Sequence, residues 1–289
     1  FRTVDTIAAG VRGVYKYRGA VAVGTQVIFA PTGQDNVGIY EVDTGVFRTV
    51  DTTAAGVKGR NNSKYVGAVA VGTQVIFTPS CQDNIGIYKV DTATFRKVDI
   101  GESKCHTYIK GVVVGTKVIM APGEYNKVGV YEVDTGRFRS ILIPDLPTTP
   151  TRHKYGLGVR AGTKVIFVPA YEPRVGIFEV NTETFRLLDT ATDVGYTMYH
   201  GGVLAGTQVI FTPSGAYRQL KNKYPGRDLP APDSTVDLNI GIYEVDTDTF
   251  RTVDAAATDQ EGYKASGVLM GTQVVFIPRL GPSVGIYNV

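Results

Sequence analysis

The sequence predicts an all-β fold, a six-bladed β-propeller of four-stranded antiparallel blades. Three observations predict it: a unit repeated six times, four short strand-forming runs in every unit, and a chain that opens with the tail of its own repeat.

The repeat is legible from fixed markers. A glycine recurs at Gly19, Gly67, Gly111, Gly158, Gly202 and Gly267, and a Gly-Thr pair follows each, beginning at Gly24, Gly72, Gly115, Gly162, Gly206 and Gly271. A run such as QVIFAP then ends in Pro31, Pro79, Pro122, Pro169, Pro213 and Pro278. VGIY or a near copy begins at Val37, Ile85, Val128, Val175, Ile240 and Val284. Phe-Arg closes the unit at Phe47, Phe95, Phe138, Phe185 and Phe250, and the sixth copy is Phe1-Arg2 at the front of the chain. Successive marker glycines lie 44 to 48 residues apart, except for 65 in the fifth unit.

Each unit therefore holds an apolar first strand, a VIF-like second, a VGIYEV-like third and an FRTVD-like fourth. All are rich in Val, Ile, Tyr, Phe and Thr and bounded by Gly, Pro, Asp and Asn. No segment keeps a helical period. Inner strands are expected near 17–23, 65–71, 109–114, 156–161, 200–205 and 265–270, within a single domain over 1–289. Residues 1–5 are expected as the fourth strand of the C-terminal blade, closing the ring, because an unpaired sheet edge is costly.

Composition narrows the function classes. Hydrophobic content of 43% supports a packed core, and a net charge of +3 from 30 basic and 27 acidic residues argues against a nucleic-acid partner. No apolar run is long enough for a membrane span. Cys81 and Cys105 permit at most one internal disulfide. The chain begins at Phe1 without a signal peptide, which reads as upstream removal or a fragment. The triplet Asn61-Asn62-Ser63 fits a secreted protein.

The stretches GAVAVGTQVIFTP and NIGIYKVDTATFR resemble a divergent kelch repeat, with its glycine-containing inner strand, short turn, acidic turn and outer aromatic. The resemblance spans all six units. It departs where a residue plus Pro replaces the double glycine after the second strand, and where Phe replaces the outer Trp. It implies a propeller with a binding role and carries over no catalytic residues.

Two faces follow from the connections. Gly-Thr turns and Asp-Thr or Asn-Thr turns, as at Asp43-Thr44 and Asn181-Thr182, are uniform and belong to one face. The second-to-third loops and the crossings between blades vary and belong to the other, where function is expected. The largest feature there is an insertion at about 216–238, read as a docking loop carrying Tyr217, Arg218, Lys221, Lys223, Tyr224 and Arg227. Candidate binding residues at the channel mouth are Tyr17, Tyr65, His106, His153, Tyr155, Tyr199, His200 and Tyr263. His106, His153 and His200, with Cys105, are also the candidates for a metal, although their spacing matches no ligand signature. Tyr15 and Tyr108 belong to the same set of tyrosines before or within inner strands. The near-identical Gln34-Asp35-Asn36 and Gln82-Asp83-Asn84 read as Asx-type turns or as paired ligand sites.

The sequence thus favours a non-enzymatic scaffold that recognises a protein or peptide, with no cofactor. A carbohydrate-binding lectin and a metal-assisted hydrolase at the axial mouth are the alternatives.

Overall fold

A computed structural model describes residues 1–57, 63–101, 105–146, 153–190, 198–214, 239–254, 264–278 and 284–289. It divides into two compact units, residues 1–150 and 151–289. Three sheets lie in each.

In the first unit, sheet 1 comprises β1 (Tyr17–Val23), β2 (Gln26–Pro31), β3 (Asn36–Glu41) and β4 (Phe47–Asp51). Sheet 2 comprises β5 (Tyr65–Val71), β6 (Gln74–Pro79), β7 (Asn84–Lys89) and β8 (Thr94–Asp99). Sheet 3 comprises β9 (Tyr108–Val114), β10 (Lys117–Pro122), β11 (Lys127–Glu132) and β12 (Arg137–Leu142). In the second unit, sheet 4 is formed by β13 (Tyr155–Ala161), β14 (Lys164–Pro169), β15 (Val175–Glu179) and β16 (Thr184–Leu188). Sheet 5 is formed by β17 (Tyr199–Ala205), β18 (Gln208–Pro213), β19 (Ile240–Glu244) and β20 (Thr249–Val253). Sheet 6 has β21 (Lys264–Met270), β22 (Gln273–Pro278) and β23 (Gly285–Asn288). Every sheet is an antiparallel meander in chain order. Among the described residues no helix is long and apolar enough to cross a membrane.

The turns behave as their residues require. The glycine of each Gly-Thr turn adopts a positive φ of 57–61°, which lets a two-residue hairpin follow the strand twist. In the third-to-fourth turns the threonines bond locally: Val46 N–H donates to Thr44 Oγ1 (3.3 Å), and Thr92 and Thr94 share a hydrogen bond of 2.7 Å.

Each first strand carries a register shift just after its start, as between Tyr17 and Ala20 against β2 and between Tyr155 and Gly158 against β14. A bulge changes the phase of side-chain alternation. Its result is an aromatic stack inside the sheet rather than a tyrosine facing out. In sheet 4, Tyr155 lies 5.6 Å from Phe167, and Phe167 stacks on Phe185 at 5.9 Å, centroid to centroid. Tyr17–Phe29–Phe47 repeats this in sheet 1, and Tyr199–Phe211–Phe250 in sheet 5. The stack lies against the glycine of VGIY. A Cβ at Gly176 would stand 2.7 Å from Phe185 Cζ and 3.0 Å from Tyr155 Cζ; at Gly86 it would stand 3.0 Å from Phe95 and Tyr65 carbons.

Cores form between neighbouring sheets. One cluster joins Ile28, Val37 and Ile39 to Val75, Phe77 and Tyr88; another joins Ile166, Val175 and Ile177 to Val209, Phe211 and Tyr243. First strands pack closely along the chain, β1 on β5 and β5 on β9, then β13 on β17 and β17 on β21, whereas fourth strands barely meet. Within each unit the sheets therefore converge on their first strands.

The expected strand over residues 1–5 is not formed, and sheet 6 has three strands among the described residues. The N-terminal segment instead lies on sheet 1. Arg2 occupies the space that a Cβ at Gly45 would need. Residues 6–11 close a turn (Gly10 N–H to Ile7 O 2.9 Å, Val11 N–H to Thr6 O 3.2 Å), and Thr49 Oγ1 donates to Ala9 O (3.2 Å). Val11 is fully buried there while Phe1 is fully exposed. Local turn bonds and the anchorage of Val11 outweigh strand formation in this segment.

Filling the space under an aromatic stack should cost stability. Gly176→Ala is expected to destabilise the protein by about 1–3 kcal/mol through overpacking, lowering the melting temperature by several degrees. A thermal melt that matches wild type would contradict the stack as the reason for this glycine.

Candidate functional site

The candidate site is the end of the sheets where second-to-third loops meet the segments leading into the first strands. In each unit the backbone there forms a belt. Lys64 N–H donates to Thr32 O (3.0 Å), and His106 N–H donates to Ser80 O (2.6 Å), so each lead-in segment bonds to the loop of the preceding sheet. It also bonds to its own loop: Ser80 N–H to Lys64 O (2.9 Å), Glu124 N–H to His106 O (2.8 Å). The second unit repeats the pattern with Met198 N–H to Ala170 O and Ser214 N–H to Met198 O.

Side chains reinforce the belt in the first unit. Lys64, only 2% exposed, sends its ammonium into sheet 1's loop, donating to Gln34 O (2.9 Å) and pairing with Asp35 (2.7 Å). Thr32 Oγ1 donates to Tyr65 O (2.7 Å). Cys81 of the β6–β7 loop is disulfide-bonded to Cys105 of the segment before β9. Beside it, Ser80 Oγ and His106 Nδ1 share a 3.3 Å hydrogen bond, and His106 holds a positive φ of 57°. These contacts give the loop end a fixed shape, which a recognition surface needs.

The tyrosines expected at the channel mouth lie mostly inside. Tyr65 and Tyr155 are fully buried, Tyr199 nearly so, and Tyr17 is half-buried. Tyr65 donates to Asn84 Oδ1 and Tyr17 to Asn36 Oδ1 (2.5 and 2.6 Å), so the Gln-Asp-Asn loops serve the tyrosine stacks. Burial pushes all four phenols well above their ordinary range; Asp83's charge adds to this at Tyr65, and Glu172's at Tyr155. They are neutral near neutral pH and serve as wedge-filling aromatics. Tyr15 differs: the residue is 76% exposed, beside the exposed Val14, on a positive φ of 52°. Tyr15 O accepts Gly33 N–H (2.9 Å), which fixes that backbone on sheet 1's loop. No sequence signal separated Tyr15 from Tyr17, since both precede the same marker glycine.

The three histidines lie in different elements. His106 is bound into the sheet 2–3 belt, and His153 O accepts Tyr171 N–H (3.2 Å) within sheet 4. His200 follows Tyr199 on β17. Among the described residues no group of three His, Cys, Asp or Glu side chains could hold a metal ion. Tyr263 and all six docking-loop residues, Tyr217, Arg218, Lys221, Lys223, Tyr224 and Arg227, lie outside the described residues, as does most of the Asn61-Asn62-Ser63 triplet.

The outer-strand arginines act between strands and sheets. Arg139 pairs with Glu132 (2.9 Å) and Arg48 with Glu41 (3.3 Å), each across one hairpin. Arg96 reaches Tyr131 Oη of the next sheet (3.0 Å), and Arg186 reaches both Tyr243 Oη and Asp248. Burial opposes ionisation of Asp248, yet the Arg186 and Tyr243 hydrogen bonds outweigh it and hold the carboxyl below its usual range. Burial and the bond to Asp248 push Tyr243 up to about 12.

No family model matches the chain, and no curated protein matches it. Solved structures do. The chain is similar to one in the crystal structure of a mitotic checkpoint complex, with a TM-score of 0.63 and 12% identity over 97% of this chain and 76% of that one. It is similar to U3-55K, with a TM-score of 0.64 and 8% identity over 96% and 79%, and to the WD40 repeats of RRP9, with 0.62 and 8% over 96% and 78%. Such identities speak for the fold alone: these neighbours are β-propellers, and this chain is a propeller repeat protein of four-stranded blades.

The disulfide closes a loop of 24 residues in sequence separation, for which chain entropy gives about 3 kcal/mol of stabilisation. Cys81→Ser with Cys105→Ser is expected to lower the melting temperature by several degrees, as is a reductant on wild type. Two thiols that titrate in the native, unreduced protein would refute the bond.

Proposed function

We propose that this protein is a non-enzymatic scaffold whose six sheets act as one propeller domain and whose loop end recognises a protein or peptide. The observation that carries the reading is the combination of a rigid belt with exposed apolar groups on it. Val14 and Tyr15 stand in solvent on a backbone pinned to sheet 1's loop. An exposed aromatic on a preorganised backbone is what interfaces use as an anchor, because little ordering entropy remains to be lost on binding. The 216–238 insertion is the second docking element, with Tyr217 and Tyr224 as anchors and its four basic residues as steering charges. His106 and His153, in segments leading into first strands, and His200, on β17, are read as binding positions of the same end. The unit is read as a divergent kelch repeat on its glycine-containing first strand and acidic turn. The Cys81–Cys105 bond favours an oxidising, secreted setting.

Affinity capture from the source organism tests this with three chains side by side. Tyr15→Ser is expected to weaken retention of the captured partner on the order of tenfold or more, the usual effect of truncating an anchor. Thr135→Ala, in a uniform turn at the opposite end of sheet 3, is expected to leave retention unchanged. Equal retention by all three chains, or a loss only with Thr135→Ala, would sink the reading.

A further inference from the structure

Two cations on the first strands of the first unit have no hydrogen-bond or ion-pair partner among the described residues: Arg18 on β1 and Lys110 on β9. They are the second and third residues of their strands, so both sit near the belt end. Between β1 and β9 runs β5, and its backbone there is bare. A Cβ at Gly67 would stand 3.6 Å from Lys110 Cγ and 3.8 Å from its Cα, and a Cβ at Gly19, next to Arg18, would stand 3.3 Å from Gly67 Cα. Small residues at Gly19 and Gly67 thus bring the three strands together, and the Lys110 side chain lies over Gly67.

The Lys110 side chain reaches solvent, yet burial by the surrounding strands, and then the charge of Arg18, lower its pKa. Two like charges on strands packed either side of β5 raise each other's energy. An oxyanion between them turns that repulsion into charge-assisted hydrogen bonds, with the guanidinium as a fork and the ammonium as a point donor.

We propose that Arg18 and Lys110, flanking Gly67, form an oxyanion site whose occupant is an acidic side chain of a docked peptide. This rests on the scaffold reading and deepens it: the loop end supplies the apolar anchor, and the first strands supply the charge contact. The carboxylate chemistry is shared by free small anions, so the probes must separate the two sources.

Isothermal titration with hexaglutamate, hexaglutamine, glutarate and inorganic phosphate does so. Hexaglutamate is expected to bind, hexaglutamine not to, and glutarate and phosphate to bind more weakly. Arg18→Gln and Lys110→Gln are each expected to weaken hexaglutamate about tenfold or more, as loss of one charged hydrogen bond does. A measurement on wild type avoids dependence on the variants: in protein carrying 13C-labelled lysine, the Lys110 titration midpoint should rise when hexaglutamate is added. An unmoved midpoint, unchanged affinity in both variants, or phosphate binding as tightly as the peptide overturns the site. If hexaglutamate is ignored while Tyr15-dependent capture persists, the oxyanion site falls and the scaffold reading stands.

Discussion

The contact on which the structure depends is an aromatic stack laid against a bare backbone. In sheets 1, 2, 4 and 5 a tyrosine from the first strand, the ring of the second and a phenylalanine from the fourth fill the sheet, and the third strand must offer glycine beneath them. Several features follow from that single requirement. The first strand needs its register shift to turn the tyrosine inward. Where Asn opens the third strand in sheets 1 and 2, it accepts the phenol proton, because a buried hydroxyl without a partner is costly. Sheet 3 keeps the arrangement with Met120 in place of the middle ring, a flexible side chain that fills the same gap.

Strand identity and order were legible because they rest on local signals. Gly-Thr turns, a proline after each second strand and alternating apolar runs fix four strands per unit without long-range information. The tyrosines were not legible in the same way. Period-two alternation counts residues, and a bulge adds one, so Tyr65 and Tyr155 read as facing an opening when they face the core. Arg18 and Lys110 escaped notice for another reason. Each directly precedes the marker glycine of its repeat, but the repeats are two sheets apart, and only packing of β1, β5 and β9 brings them near each other. The N-terminal FRTVD shows the opposite limit: an identical pentapeptide forms β4 at residues 47–51 and no strand at 1–5, because β4 has β3 to pair with and its copy is held by Arg2 and Val11 on sheet 1.

Charge plays two distinct parts. On the outer strands, arginines tie hairpins and neighbouring sheets through partly exposed pairs whose individual worth is small. At the belt end, Lys64 is withdrawn from water and committed to one backbone carbonyl and one carboxylate, where its loss would release the loop it holds. The same residue type at Lys110 has no such partner among the described residues, and that contrast separates a structural cation from one kept for a visitor.

The belt also determines how far a disturbance can travel. Among the described residues, the segments leading into sheets 2, 3 and 5 bond to their own loop and to that of the sheet before, so coupling within a unit runs between adjacent wedges. A lesion in one wedge is passed to its immediate neighbours and fades beyond them. Evolution can therefore lengthen a single connection, as between β18 and β19, while the pairing of those two strands from Gln208–Glu244 to Phe211–Gly241 keeps the register of every other sheet. The architecture tolerates novelty one wedge at a time.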